Sequence, residues 1–202
     1  MNIIKRWPFS EDIFIAQVDL IPADVIEPLI RENLLDSHPA LPWQEHLSDE
    51  IQQKHKQLKH SISSRFHLRL VAIHKGNIVA LSNGWQQSSH YTEFYMGVSL
   101  VEQSFRNQGL YKKMLEIVLS ETKEAGFSAI KSRHVNTNTP ILIAKLKQGF
   151  IINGFELDDS MGPLLTMVYY HDDTRSRAAR YRSGDIREKS ILDLLESTLK
   201  AK

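Results

Sequence analysis

Val98-Ser99-Leu100-Val101-Glu102-Gln103-Ser104-Phe105-Arg106-Asn107-Gln108-Gly109-Leu110-Tyr111-Lys112-Lys113-Met114-Leu115 reads as the end of a strand, a basic glycine turn and the start of a helix. Upstream, Thr92, Phe94, Met96, Val98 and Leu100 alternate with Tyr91, Glu93, Tyr95, Gly97 and Ser99, which predicts a period-two strand from Tyr91 to Val101 with one dry face. Downstream, Leu110, Met114, Ile117, Val118 and Ala125 fall on one helical stripe opposite Lys112, Lys113, Glu116, Ser120, Lys123 and Glu124. Gly126 follows where a C-terminal cap belongs, so the helix is expected over Leu110 to Ala125. The first amides of a helix lack carbonyl partners, and their dipoles sum to a partial positive charge. Gly109 permits φ values closed to other residues, and Arg106 adds a permanent cation with forked donors. Strand, turn and helix in this order make a cradle for a phosphate. The same residues also fit a plain turn, with the glycine serving the chain reversal and the arginine facing solvent.

Arg106-Asn107-Gln108-Gly109-Leu110-Tyr111 resembles the pyrophosphate loop of the GNAT superfamily of acyl-coenzyme A-dependent N-acyltransferases, written Gln/Arg-x-x-Gly-x-Gly/Ala. A second stretch keeps that family's later register of strand, Asn, short helix and Gly-Phe: Asn138-Thr-Pro-Ile-Leu-Ile-Ala-Lys-Leu-Lys-Gln-Gly149-Phe150. The resemblance, carried by residues 98–150, implies a GNAT-like α/β (α+β) domain over residues 1–171, with a mixed, strongly bent sheet flanked by helices. It implies acetyl-coenzyme A as cosubstrate; no metal is expected. Arg106, Asn107, Gln108, Gly109, Leu110 and Tyr111 would meet its diphosphate, backbone amides near Leu100 and Val101 its thioester carbonyl, and Asn138 its pantetheine arm. Two residues depart from the family. Tyr111 stands where Gly or Ala is preferred, which crowds the cradle or sets a phenol beside the phosphates. Lys145 stands where many members carry the tyrosine that protonates the leaving thiolate. That role is left to Tyr111, Tyr169 or Tyr170, the tyrosines of the relevant segments.

Acyl transfer to an amine needs the amine neutral, and an alkyl ammonium has an unperturbed pKa of about 10.4, so a base or a desolvating cleft must help. Glu93 is the expected base, sharing its strand face with Tyr95, Gly97 and Ser99. In the resemblance Tyr95 aligns with a base carboxylate of some members, with Glu93 one same-face step earlier. The alternative is a Glu93 that merely faces solvent at the strand start. With no cysteine in the chain, disulfides, thiolate metal sites and a cysteine acyl-enzyme are excluded, which favours direct attack in a ternary complex. His134 ends a strand near the expected cleft, fitting either a proton relay at neutral pH or a plain strand-end hydrogen bond. The nine histidines show no metal-ligand spacing, and His171-Asp172-Asp173 is explained by a solvated turn with fewer assumptions than a metal corner. Asn138 is expected to cap the following helix, with Pro140 in its first turn.

At 202 residues, with 42% hydrophobic and 24% charged, the chain can bury a full core. Net charge +1 argues against nonspecific attraction to nucleic acid or membrane, and no apolar run reaches a membrane span, so a cytoplasmic protein is expected. Further expected elements are a strand Ile13 to Val18, helices near Ala23 to Leu35 and Gln44 to His60 separated by Pro39 and Pro42, and a hairpin of Leu68 to His74 with Ile78 to Trp85. A strand Ala129 to Val135 and a hairpin of Phe150 to Leu157 with Leu164 to His171 complete the domain. Residues 172–202 divide into an arginine-rich stretch (Arg175, Arg177, Arg180, Arg182, Arg187) and an amphipathic helix. That helix opens near Asp185 and Glu188 and carries an Ile191, Leu192, Leu195, Leu199 stripe, which packs on its own domain, makes a homodimer contact, or leaves a basic surface for an acidic partner. The reading as a whole is an N-acetyltransferase acting on a small-molecule or peptide primary amine. Its rival is a noncatalytic acyl-coenzyme A-binding regulatory module.

Overall fold

A computed structural model describes residues 1–33, 49, 66–87, 90 and 92–184. In chain order it contains β1 (Ile3–Pro8), β2 (Ile13–Val18), α1 (Ala23–Asn33), β3 (His67–His74), β4 (Asn77–Gln86), β5 (Glu93–Val101), a 3-10 turn (Gln103–Phe105) and α2 (Leu110–Glu124). There follow β6 (Ala129–Val135), α3 (Thr139–Lys147), β7 (Ile151–Asp158), β8 (Gly162–Tyr170) and α4 (Asp173–Arg182). The strand at Ile13–Val18, both hairpins and the cradle helix stand within a residue or two of their expected places. β1 was not foreseen, because Ile3–Pro8 shows no alternation: only Ile3 and Trp7 are even half-buried. The arginine-rich stretch, to which the sequence reading assigns no secondary structure, is helical over Asp173–Arg182, its N-terminus capped by the Asp172 carboxylate, which accepts from the Arg175 amide at 2.6 Å; Arg187 lies outside the described residues. The expected helix over 44–60 with its flanking prolines, the end of the first helix at Leu35, Tyr91, and the stripe beyond residue 184 lie outside the described residues.

The strands form one eight-stranded mixed sheet in the order β1-β2-β3-β4-β5-β6-β8-β7. β1 to β5 are a sequential antiparallel run, and β6, β8 and β7 are a second antiparallel group. One parallel seam joins the two halves, because α2 carries the chain back over the sheet between β5 and β6. The seam is short: Glu93–Met96 pair with Ala129–Ser132, and no further. Beyond it β5 stays with β4 to Val101 while β6 stays with β8 to Val135, so the two strands part.

Apolar side chains cover both faces. Phe94, Met96 and Ile130 of the sheet pack with Leu110, Met114 and Val118 of α2 on one side. Val71, Leu81 and Leu100 pack with Leu29 of α1 on the other. A completely buried side chain of this kind contributes about 1.5–3 kcal/mol, so these two clusters fix the layers.

The expectation of a single dry face along β5 fails at Gly97. Asn83 pairs with Val98 and Gly84 with Met96, leaving Gly97 as an extra residue that reverses the alternation. Phe94 and Met96 face α2, but Leu100 faces α1, and Ser99 crosses to the α2 side, where its hydroxyl meets that of Ser82 at 2.9 Å. Ser99 therefore does not share a face with Glu93. Glycine suits the bulge, since a Cβ there would lie 2.4 Å from the Trp85 ring and either the ring or the strand would have to shift.

Candidate functional site

The parting of β5 and β6 brings the end of one strand, the turn into α2 and the α3 helix to one region of the molecule. In the turn, Asn107 (φ 62°) and Gly109 (φ 81°) both adopt the left-handed conformation. Gly109 occupies the N-cap of α2, where no side chain caps the helix, and the first helical bond runs from the Lys113 amide to the Gly109 carbonyl at 3.0 Å. The amides before Lys113 thus lack helical partners. A Cβ at Gly109 would meet no protein atom within 4 Å, so glycine is demanded there by its φ and not by crowding within the fold. Uncapped amides, with open space at the Gly109 Cβ position, fit a diphosphate.

Arg106 differs from its expected role as the free cation of that turn. Its Nε donates to the Val101 carbonyl at 3.0 Å and its Nη2 to the Asn33 carbonyl at 3.0 Å, so it latches the C-terminus of α1 to the end of β5. A cation at a helix C-terminus is favoured by the dipole. Gln108 likewise donates back to the Ser104 carbonyl at 3.1 Å. The hollow beside this latch, about 470 Å³, is lined by Glu32, Asn33, Glu102, Gln103 and Ser104; its carboxylates make it a poor seat for phosphate.

Leu100 and Val101 divide. Glu102 donates its amide to the Val79 carbonyl of β4 at 2.9 Å, and N–H groups alternate sides along a strand. The Leu100 amide therefore also points to β4, while Val101 presents its amide and carbonyl on the side β6 has left. Tyr111 does not crowd the cradle: its ring packs against the core under α2, and its hydroxyl is buried without a hydrogen-bond partner among the described residues. Burial pushes that phenol well above its ordinary range, so it keeps its proton. Asn138 stands at the N-cap of α3, but its side chain caps nothing. Pro140 sits in the first turn with no N–H to offer, and the Asn138 carbonyl instead accepts from the Leu142 amide at 3.2 Å.

Glu93 and Tyr95 lie on the face away from α2, each engaged by a cation of β6. The Glu93 residue is 6% exposed, and its carboxylate meets Lys131 Nζ at 2.8 Å and His90 Nδ1 at 3.9 Å. It stands at the closed end of the seam, three residues before the strands part, which at about 3.3 Å per residue is roughly 10 Å away. The expected free base is thus a buried ion pair remote from the opening. Tyr95, next to Met96 at the opening, accepts from Arg133 Nε at 2.9 Å and packs on Trp85, ring centroids 5.2 Å apart. Arg133 also bonds Glu156, and these partners hold its guanidinium firmly charged.

Sequence reasoning missed the polar cluster on the α2 side of the seam. Lys145 is completely buried on α3, although its neighbours Ile143 and Leu146 are 46% and 47% exposed. Its Nζ donates to Ser132 Oγ at 2.6 Å, approaches Met96 Sδ at 3.5 Å and sits 4.5 Å from the Phe150 ring centroid. Ser132 Oγ in turn lies 3.0 Å from His134 Nε2. Burial pulls the lysine down to about 7. Burial and the nearby Lys145 pull His134 down to about 3, so the imidazole is neutral at physiological pH and not the neutral-pH switch its type suggests. Of the remaining tyrosines, Tyr169 packs on Phe150 with centroids 5.4 Å apart and Tyr170 lies 4.4 Å beneath the Arg175 guanidinium. His171 is not a solvated turn residue: its Nε2 meets Thr122 Oγ1 at 3.0 Å. No group of three His, Asp or Glu side chains among the described residues is placed to hold a metal, and no described helix is long and apolar enough to cross a membrane.

No protein-family model matches the sequence, and comparison with curated proteins gives no match. Solved structures do match. The chain superposes on a ribosomal-protein alanine N-acetyltransferase from Escherichia coli with TM-score 0.58 at 13% identity, covering 78% of this chain and 93% of that one. A ribosomal-protein-alanine N-acetyltransferase from Brucella melitensis gives 0.56 at 19%, covering 77% and 98%. A protein assigned to the GNAT acetyltransferase family from Desulfovibrio desulfuricans gives 0.55 at 10%, covering 78% and 98%. The chain has the fold these proteins share.

Proposed function

We propose that this chain, which carries the GNAT fold, is an N-acetyltransferase that moves an acetyl group from acetyl-coenzyme A to a primary amine by direct attack. The observation that carries the reading is the parting of β5 from β6 beside an uncapped helix N-terminus, in a fold whose solved representatives include acetyltransferases. The amides of the Asn107–Tyr111 turn would hold the diphosphate, the outward amide of Val101 the thioester carbonyl, and the segment at Asn138 the pantetheine arm. Fixed backbone donors of this kind favour an oxyanion without reorganising as charge develops. The acceptor would approach across Tyr95 and Trp85. Glu93, held by Lys131, would anchor the closed end of the seam and not touch the amine.

The test is thiol release from acetyl-coenzyme A with a panel of polyamines, aminoglycosides, amino acids and peptide N-termini. Amine-dependent release is expected with at least one class. Gly109→Asp, which places a carboxylate against the diphosphate, should fold and lose both release and calorimetric coenzyme A binding. Wild-type coenzyme A affinity in folded Gly109→Asp would overturn the assignment of the turn. Coenzyme A binding with no release for any amine would favour the noncatalytic module.

A further inference from the structure

Lys145 is a buried amine with no carboxylate beside it among the described residues, where holding a positive charge is expensive. Its partners among the described residues are uncharged. Met96 comes from β5, Ser132 and His134 from β6, and Phe150, backed by Tyr169 of β8, from beyond α3; Lys147 on its own helix is exposed. The three polar groups form a file. Lys145 and Ser132 are completely buried, whereas His134 is half-buried and lies two residues past Ser132, the last paired residue of the seam. The file thus runs from the dry core under α3 to the mouth of the parted strands.

We propose that Lys145, Ser132 and His134 form a proton relay in which Lys145 stores the proton that quenches the leaving thiolate, and His134 delivers it. This rests on the acyl-transfer reading above. In this relay Lys145 donates to Ser132 Oγ, the Ser132 hydroxyl donates to His134 Nε2 across the 3.0 Å contact, and the proton on His134 Nδ1 is the one delivered. As the amine nitrogen bonds to the acyl carbon and the carbon–sulfur bond breaks, the thiolate takes the Nδ1 proton. Nε2 then takes the Ser132 proton, and Ser132 takes one from the Lys145 ammonium. His134 changes tautomer without acquiring charge, and Lys145 is left neutral in surroundings that prefer it so. An acceptor that arrives as an ammonium gives up two protons. One is lost to solvent as the amine becomes a nucleophile; the other returns along the file to Lys145, and the amide keeps one N–H. Lys145 and Ser132 are positioning residues that act through His134. The low proton affinity that burial gives Lys145, about 7, keeps both of its states populated at physiological pH.

Nuclear magnetic resonance of the full-length, isotopically labelled protein without ligand tests the file independently of any activity. The Lys145 side-chain signals and the His134 ring nitrogens should move together with a shared midpoint near pH 7. In Ser132→Ala the His134 signals should stop following Lys145, and Ser132→Thr should restore the coupling. A Lys145 midpoint near the ordinary value of about 10.4 would overturn the relay, as would His134 signals indifferent to Lys145 in the wild type. With an accepted amine, Lys145→Met should cut turnover by about a hundredfold at unchanged acetyl-coenzyme A affinity and erase the basic limb of the pH profile. Unchanged turnover would overturn the delivery role. If the wild type releases no thiol with any amine, acyl transfer is what fails, and the titration alone still decides whether the relay exists.

Discussion

At position 145 a lysine does the packing work of a core residue, and pH should expose the cost. Its folded value of about 7 lies below the unfolded 10.5. Between these limits the unfolded chain binds more protons, so stability rises as pH climbs from about 7 toward 10.5, and the full penalty is present below 7. His134 acts lower down: held near 3 against 6.5 unfolded, it costs stability as pH falls through that interval. Lys145→Met, which matches the volume and removes the charge, should therefore stabilise the protein at pH 6 by on the order of a few kcal/mol, a gain that shrinks toward pH 10. Denaturant midpoints of the two proteins at both pH values check this, and a pH-independent difference would show that the amine titrates normally. None of this is legible in the sequence, where Lys145 sits among apolar residues of which the long ones, Ile143 and Leu146, look like the core. Which side of α3 turns inward is decided by Phe150 and the sheet, and periodicity over nine residues cannot supply that.

Among the elements, β5 carries the sharpest lesson. Its existence, position and approach to the glycine turn follow from alternation and from Gly109, and the cradle helix from a single apolar stripe; both are local signals. The bulge at Gly97 is not local, since it depends on Asn83 and Gly84 across the ladder and on the Trp85 ring above. Adding one methyl there forces either the indole or the strand to move, so Gly97→Ala should cost about 1–3 kcal/mol and alter the Trp85 fluorescence through its contact with Tyr95. Stability and emission like wild type would mean the ring yields freely. The candidate site divides in the same way. The turn at Asn107–Tyr111 was readable because helix-terminal amides need no partner. The commitments of Arg106 to Asn33 and of Glu93 to Lys131, across separations of 73 and 38 residues, were set by the tertiary fold alone.

For the molecule as a whole, the decisive feature is that four paired residues on each strand hold two antiparallel halves together. Parallel pairing is slightly weaker per residue than antiparallel, and this seam already stops short of both strand ends. In native-state hydrogen exchange the seam amides should therefore open at lower free energy than those of the β3–β4 ladder, and equal protection would contradict this. The order of assembly follows as well. The β3–β4 hairpin closes through a tight turn, whereas the Glu93–Ala129 contact must wait until the chain between them has been gathered into α2 and laid across the sheet. The first half thus becomes the template on which the second docks, and the cleft that would receive the acyl donor is the last joint of the protein to be made.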